Sequence, residues 1–248
     1  MKYVSHIGGM KIHIQDVHSL SIDQTKWQAI QIRLKEKITL VNRITATDIK
    51  FIAGVDVAYW EEAGVEWGVC SIIVIDYATK AVVEEATSTG IVTVPYIPGY
   101  LAFRELPLVL EAVKKLNYVP DLFMFDGNGY LHPRHMGIAT YASFFLNKPT
   151  IGIAKSYFKI ADAEFEMPEN KAGSYVDIII HNDIYGRVLR THQDVKPIFV
   201  SCGNYIDLPT ATTITMELIT NESRLPIPVR LSDLATKKNR RQLRDKKS

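Results

Sequence analysis

The sequence predicts an α/β fold: a central mixed sheet, three antiparallel strands followed by parallel ones, flanked by helices. Three observations carry this. The segments Phe51–Trp60, Gly68–Asp76 and Ala81–Val94 are rich in β-branched and aromatic residues and are joined by short loops, which makes them antiparallel neighbours. Two short apolar runs, Leu122–Phe125 and Pro149–Ala154, flank an apolar-periodic stretch, Met136–Leu146, the pattern of a strand–helix–strand unit. Each of those two strands delivers a charged residue at its C-terminal end, Asp126 and Lys155, which is where open α/β sheets place their chemistry.

The bulk composition agrees with a globular protein. The chain has 248 residues, 47% hydrophobic and 23% charged, with no internal linker or repeat, so one domain over residues 1–248 is expected. A net charge of +2 permits a nucleic-acid partner without demanding one. Cys70 and Cys202 lie in apolar, strand-like contexts and read as buried, reduced thiols. No apolar run reaches the ~18 residues of a membrane span, and the N-terminus lacks a signal-peptide core. A cytoplasmic monomer is expected, without a membrane partner.

In chain order, residues 1–20 are irregular and carry no evident role. Residues 22–40 predict a helix, with Asp23 as its cap and Trp27, Ile30 and Leu34 on one face. Asp56 falls inside the first strand, between Val55 and Val57. A carboxylate there is costly unless it is paired or holds a cation. Val94–Gly99 (VPYIPG) is a loop whose two prolines stiffen an apolar tip. Leu101–Leu116 predicts a helix, with Pro107 suited to its first turn and Glu105 near a helix start or kink. After Asp126 come a glycine-bracketed turn, Gly127-Asn128-Gly129, and the polar knot His132-Pro133-Arg134-His135.

Past Lys155, residues 162–173 form a polar connector. Tyr175–Ile180, Arg187–Thr191 and Pro197–Ser201 predict strands, the first two a hairpin around Asp183–Gly186. Ser201–Asn204 predicts a turn and Asp207–Thr220 a helix with Pro209 in its first turn. Leu225–Arg230 predicts an extended segment because of its prolines. It leads to Asp233 and to a basic run from Lys237 to Lys247, read as a solvated end with weak attraction for phosphates as the alternative.

Asp56, Glu105, Asp126 and Asp233 thus stand on four different elements. Brought together, such hard oxygen donors suit Mg²⁺, or Mn²⁺ in its place. A site of carboxylates without a His/Cys cluster points to phosphodiester hydrolysis by a metal-activated water, with Lys155 stabilising the developing negative charge or positioning the water. There is no phosphate-binding GxxxxGK loop, no GxSxG and no CxxC. His132 and His135 have no second cluster of spacing-matched ligands, so they read as structural or phosphate-contacting.

The segments GVDVAYW, VPYIPGYLAFRELP, FDGNGYLHPRHMGIA, KPTIGIAKS and RLPIPVR with the following SD resemble, in order, the motif series of the endonuclease V family. The resemblance runs from about Phe51 to Asp233. It implies a ribonuclease H-like fold and a metal-dependent DNA repair endonuclease that recognises deaminated bases, chiefly deoxyinosine. Such an enzyme hydrolyses the second phosphodiester 3′ to the lesion and leaves 3′-hydroxyl and 5′-phosphate ends. By this resemblance Asp56, Glu105 and Asp126 are metal-binding carboxylates, Lys155 is the active-site lysine, and Asp233 is a further metal-site residue. Pro95, Tyr96, Ile97 and Pro98 form a strand-separating wedge. Gly99, Gly137, Ile138 and Phe158 line a lesion pocket, and His132 and Arg134 contact the DNA. An inosine-specific ribonuclease, a non-catalytic inosine-binding module and another ribonuclease H-like nuclease are the alternatives.

Overall fold

The computed structural model describes residues 11–21 and 23–245. Its strands are β1 (Phe51–Glu62), β2 (Val65–Asp76), β3 (Val82–Ile91), β4 (Leu122–Asp126), β5 (Thr150–Ala154), β6 (Tyr175–Ile180), β7 (Asp183–Leu189) and β8 (Ile198–Asn204). All eight join one sheet in the order β3-β2-β1-β4-β5-β8-β7-β6. The β1–β2 and β2–β3 pairs are antiparallel, and β1–β4 and β4–β5 are parallel. This is the expected ribonuclease H-like arrangement, and β8, β7 and β6 extend it as antiparallel neighbours.

Among the described residues five α-helices cover the two faces: α1 (Trp27–Lys35), α2 (Leu101–Val113), α3 (Ile138–Leu146), α4 (Leu208–Glu217) and α5 (Ile227–Asp245). Side chains alternate across a strand, so each strand feeds both layers. Val55, Ile72, Phe123 and Phe125 pack with residues of α1, α2 and α3. Ile52, Leu122, Met124 and Ile153 pack on the other face with Ala211 and Ile214 of α4 and Val229 of α5.

That alternation fixes where the charged residues point. Val55 lies opposite Phe125 across the parallel β1–β4 pair, so Asp56 and Asp126 follow side by side. Asp56 shares its parity with Ile52, and Asp126 with Leu122 and Met124, so both face the α5 side. The first turn of α5 sits directly on β1: a Cβ at Gly54 would stand 2.0 Å from the carbonyl oxygen of Pro228. Only glycine admits that approach.

Five local expectations are corrected. The first helix spans Trp27–Lys35, preceded by a single 3₁₀ turn at Gln24–Lys26 that Asp23 caps through a 2.8 Å bond from Thr25 N. Pro107 is interior to α2, seven residues in, where the buried Leu106, Leu108, Val109 and Leu110 hold the helix against its preference. The β6–β7 turn is His181-Asn182, both at positive φ, and Asp183–Gly186 belongs to β7. Ser201–Asn204 is the buried end of β8, paired with β5; its polar side chains are tolerated there because Ser201 Oγ and Asn204 Oδ1 accept from the backbone N–H groups of Gly129 and Thr39. Finally, Leu225–Arg230 is not extended throughout. Helix α5 starts at Ile227 with Pro228 in its first turn, where a missing N–H costs nothing, and it continues through the basic run to Asp245. Among the described residues no helix is long and apolar enough to cross a membrane.

Candidate active site

Helix α5 lies across the middle of β1 and the end of β4 and brings a third acid to the pair. One carboxylate oxygen each from Asp56, Asp126 and Asp233 lie within 4.8 Å of one another. Lys155, just past the end of β5, is their counter-charge: its Nζ donates to Asp126 Oδ2 at 2.5 Å and to Asp233 Oδ1 at 2.8 Å. Lys237 donates to the other oxygen of Asp233 at 2.7 Å. The hydroxyl of Thr236, one helical turn past Asp233, donates to Asp56 Oδ2.

Glu105 stands outside the three-acid group. It comes from α2, on the opposite face of the sheet, and accepts a 2.7 Å bond from the Tyr59 hydroxyl. It is close enough to feel the cluster. Burial, followed by the charges of Asp56 and Asp126, pushes its carboxyl up to about 8. Asp56 is pushed up to about 7, by burial first and then by the charge of Asp126. Burial raises Asp233 too, but its bonds from Lys155 and Lys237 outweigh this and hold it below the usual carboxylate range.

The donor set fits a hard divalent cation: three converging carboxylates, without thiolate or imidazole. The raised Asp56 and Glu105 are the cost of assembling such acids, and a bound cation relieves it. A pH dependence follows. Folding raises both carboxyls, so the native state holds protons that the unfolded chain releases. Their contribution to stability is present below pH ~4 and is lost as pH rises through 7 to 8. Asp233 titrates below this window and Lys155 above it. Thermal melts in EDTA are therefore expected to shift downward from pH 5 to pH 8, and Mg²⁺ to flatten the trend. A pH-independent melt in EDTA would contradict the buried-acid cluster.

A cavity of about 360 Å³ opens beside the acids. Asp126 and Lys155 form part of its wall; Gly99, Gly137, Ile138, Phe158 and Tyr96 form much of the rest. A side chain at position 137 is ruled out, since a Cβ there would lie 2.2 Å from the Asn128 carbonyl oxygen. The β3–α2 loop carries Tyr96 at its tip, 64% exposed. The carbonyl of Gly99, at the loop's end, accepts from Gln31 Nε2 (3.1 Å), His132 Nε2 (3.1 Å) and Arg134 Nη2 (2.9 Å).

His132 and Arg134, expected to meet DNA, both bond to the Gly99 carbonyl, and His132 also lines the cavity. His132 Nδ1 accepts the backbone N–H groups of Arg134 and Met136. That leaves the ring proton on Nε2, and burial lowers the ring's pKa to about 4, keeping it neutral. Arg134 also donates to Gln31 Oε1 at 2.5 Å and lies over the Tyr100 ring at 4.5 Å. These bonds anchor the loop, because buried donors and acceptors must find partners. His135 is stacked on Tyr130 and bonded to its carbonyl.

Four contributors escaped the sequence reading: Tyr59, which holds Glu105; Thr236, which holds Asp56; Gln31, which holds Gly99; and Arg224. The last donates to the carbonyls of Pro197 (2.7 Å) and Lys155 (3.2 Å), fixing the backbone behind the lysine. Thr236 was findable once 225–245 is taken as helical, because it lies three residues past Asp233 and so on the same face.

Antiparallel strands leading into parallel ones, with acids side by side on adjacent strands and a third on a crossing helix, define a nuclease of ribonuclease H-like fold. The chain belongs to the endonuclease V family, whose model, described as Endonuclease V, matches residues 32–234. The Endonuclease V of Bacillus thuringiensis subsp. konkukian is 62% identical over 218 residues, 88% of this chain and 93% of that one. The crystal structure of the Bacillus subtilis Endonuclease V superposes with a TM-score of 0.92 at 55% identity, covering 96% of this chain and all of that one. Ciona intestinalis Endonuclease V, solved with a 24-mer DNA containing an inosine followed by a ribo-adenosine, gives 0.76 at 27% identity over 88% of this chain and 98% of that one.

Proposed function

We propose that the protein is a divalent-cation-dependent repair endonuclease for deaminated bases in DNA, chiefly deoxyinosine. It hydrolyses the second phosphodiester 3′ to the lesion, leaves 3′-hydroxyl and 5′-phosphate ends, and acts as a cytoplasmic monomer. One observation supports this most: the cavity and the acid cluster share a wall through Asp126 and Lys155. A base held in the cavity therefore sets the distance to the phosphate that is cut.

Asp56, Asp126 and Asp233 would hold the cation, and Glu105 stands behind them as a fourth acid. Mg²⁺, or Mn²⁺ in its place, supplies charge neutralisation at the phosphate and acidification of the attacking water. Lys155 places its ammonium beside the phosphate and offsets the charge that develops there. The altered base rotates into the cavity, an unstacking that costs a few kcal/mol and less for a mispaired base. Hypoxanthine presents an N1–H donor and an O6 acceptor, and adenine reverses both. Gly137 N–H and Ala139 N–H already donate to the carbonyls of Gly129 and Asn128, which leaves the Ile138 N–H of the first turn of α3 to meet the O6 acceptor. Guanine is excluded by its 2-amino group in a tight pocket.

The test is a cleavage assay with Mg²⁺ on four end-labelled oligonucleotides: deoxyinosine in duplex DNA, deoxyinosine in single-stranded DNA, inosine in RNA, and an undamaged control. A single cut beyond the lesion, on inosine strands only, supports the reading. Retained binding with no cleavage in Mg²⁺ or Mn²⁺ would leave a binding module, and equal cleavage of the control would sink the pocket. The DNA-to-RNA ratio decides between the repair enzyme and an inosine-specific ribonuclease. Tyr96 acts as a wedge in this scheme. Tyr96→Ala is expected to slow cleavage of duplex substrate by ~10-fold or more and of single-stranded substrate much less; equal losses would argue against a wedge.

A further inference from the structure

Seven of the chain's 29 lysine and arginine residues fall between 237 and 248, against one of its 27 acidic residues. Without that stretch the chain's formal charge is −4 rather than +2. The protein is thus an acidic body with one concentrated basic segment, and five of the seven cations are placed on α5.

The helix is fastened to the sheet along one line. Val229, Ser232 and Thr236 are buried. Asn239 continues the same spacing, with its Nδ2 donating to Ser71 Oγ at 3.1 Å and Thr87 Oγ1 at 3.2 Å. Lys237, Lys238 and Arg241 stand on the opposite, solvent-exposed face, with Arg244 at its margin. Lys237 pairs with Asp233. Lys238 and Arg241 have no ion-pair or hydrogen-bond partner among the described residues. A helix dipole favours cations in the last turn only, so it accounts for Arg244 and not for Lys238 and Arg241.

The same rigid helix carries the acid of the cluster. At 1.5 Å per residue, Lys238 and Arg241 lie about 8 Å and about 12 Å past Asp233 along the helix axis. A duplex strand advances about 3.4 Å per phosphate, so the two cations match phosphates roughly two to four nucleotides from the acids. A polyanion must approach an acid cluster here, and a flanking basic row lowers the barrier.

We propose that Lys238 and Arg241 bind the sugar-phosphate backbone of the substrate a few nucleotides from the cut and hold it against the acidic site. This rests on nucleic acid being the substrate. The contact is to phosphates, so it adds affinity without sequence or lesion preference.

The test is fluorescence-anisotropy binding in EDTA to two 30-bp duplexes, one with deoxyinosine and one undamaged, from 50 to 300 mM NaCl. For the K238Q/R241Q variant the slope of log affinity against log salt is expected to fall by about 1.8, two contacts at about 0.9 each, equally on both duplexes. The charge change Lys114→Gln, on the exposed end of α2, should leave the slope unaltered. Circular dichroism and melting temperature establish that α5 is intact in the variant. An unchanged slope with an intact helix overturns the proposal while leaving the nuclease reading standing. Loss of affinity for phosphatidylglycerol vesicles instead of duplex would also overturn it. Failure of the unsubstituted protein to bind either duplex removes the nucleic-acid reading itself, and the proposal with it.

Discussion

Asp126→Asn is expected to abolish cleavage, by ~10³-fold or more, while raising the melting temperature of the chelator-treated protein near pH 8. The two effects have one cause. Asp126 is the acid shared by the cluster, the cavity wall and Lys155. Its charge raises both Asp56 and Glu105. Asparagine keeps the shape and one oxygen acceptor for Lys155 but removes one carboxylate of the proposed cation site, and with it the activation that site would give the phosphate. It also removes a repulsion that only a cation would otherwise offset. Single-turnover cleavage in Mg²⁺, melts in EDTA and binding to a deoxyinosine duplex test this together. Loss of cleavage accompanied by a lower melting temperature would make the carboxylate structural.

Lys155→Met is expected to cost about 10²- to 10³-fold in the single-turnover rate, the range for deleting one preorganised donor to a developing oxyanion. Its effect on the chelated protein runs the other way. The ammonium bridges Asp126 and Asp233, so methionine leaves those acids facing one another unscreened. The variant should melt lower in EDTA and gain more from added Mg²⁺ than the unsubstituted protein does. Matching activity losses with opposite melting shifts in the two variants would be hard to produce by general damage to the fold. A Lys155→Met variant with unaltered rate would remove the lysine from the chemistry.

Much of this site is legible in the sequence. Asp56 stands out because a carboxylate inside an apolar strand must be paired, and Asp126 and Lys155 because they end buried strands. What the sequence lacks is the register of the parallel β1–β4 pair, a contact between residues about 70 positions apart. No local pattern encodes it, yet it sets Asp56 beside Asp126. The region after Leu225 was misread for a local reason. Proline both breaks helices and favours their first turn, and only the packing of Pro228 on Gly54 decides which applies. That error hid Thr236 and made a rigid basic helix look like a solvated tail. Glu105 stands out in the sequence beside Pro107, but its placement on the far face of the sheet, tied to Tyr59, depends on how α2 packs. The bonds by which His132 and Arg134 anchor the Gly99 loop are not legible in composition, because they join residues about 35 positions apart.

The seating of α5 on Gly54 has a consequence for the life of the chain. Every strand precedes α5 in the sequence, and synthesis delivers them in that order. A nascent sheet holds Asp56 and Asp126 with neither Asp233 nor Thr236 to complete the cluster. The three-acid cluster is therefore complete only once this late helix has docked.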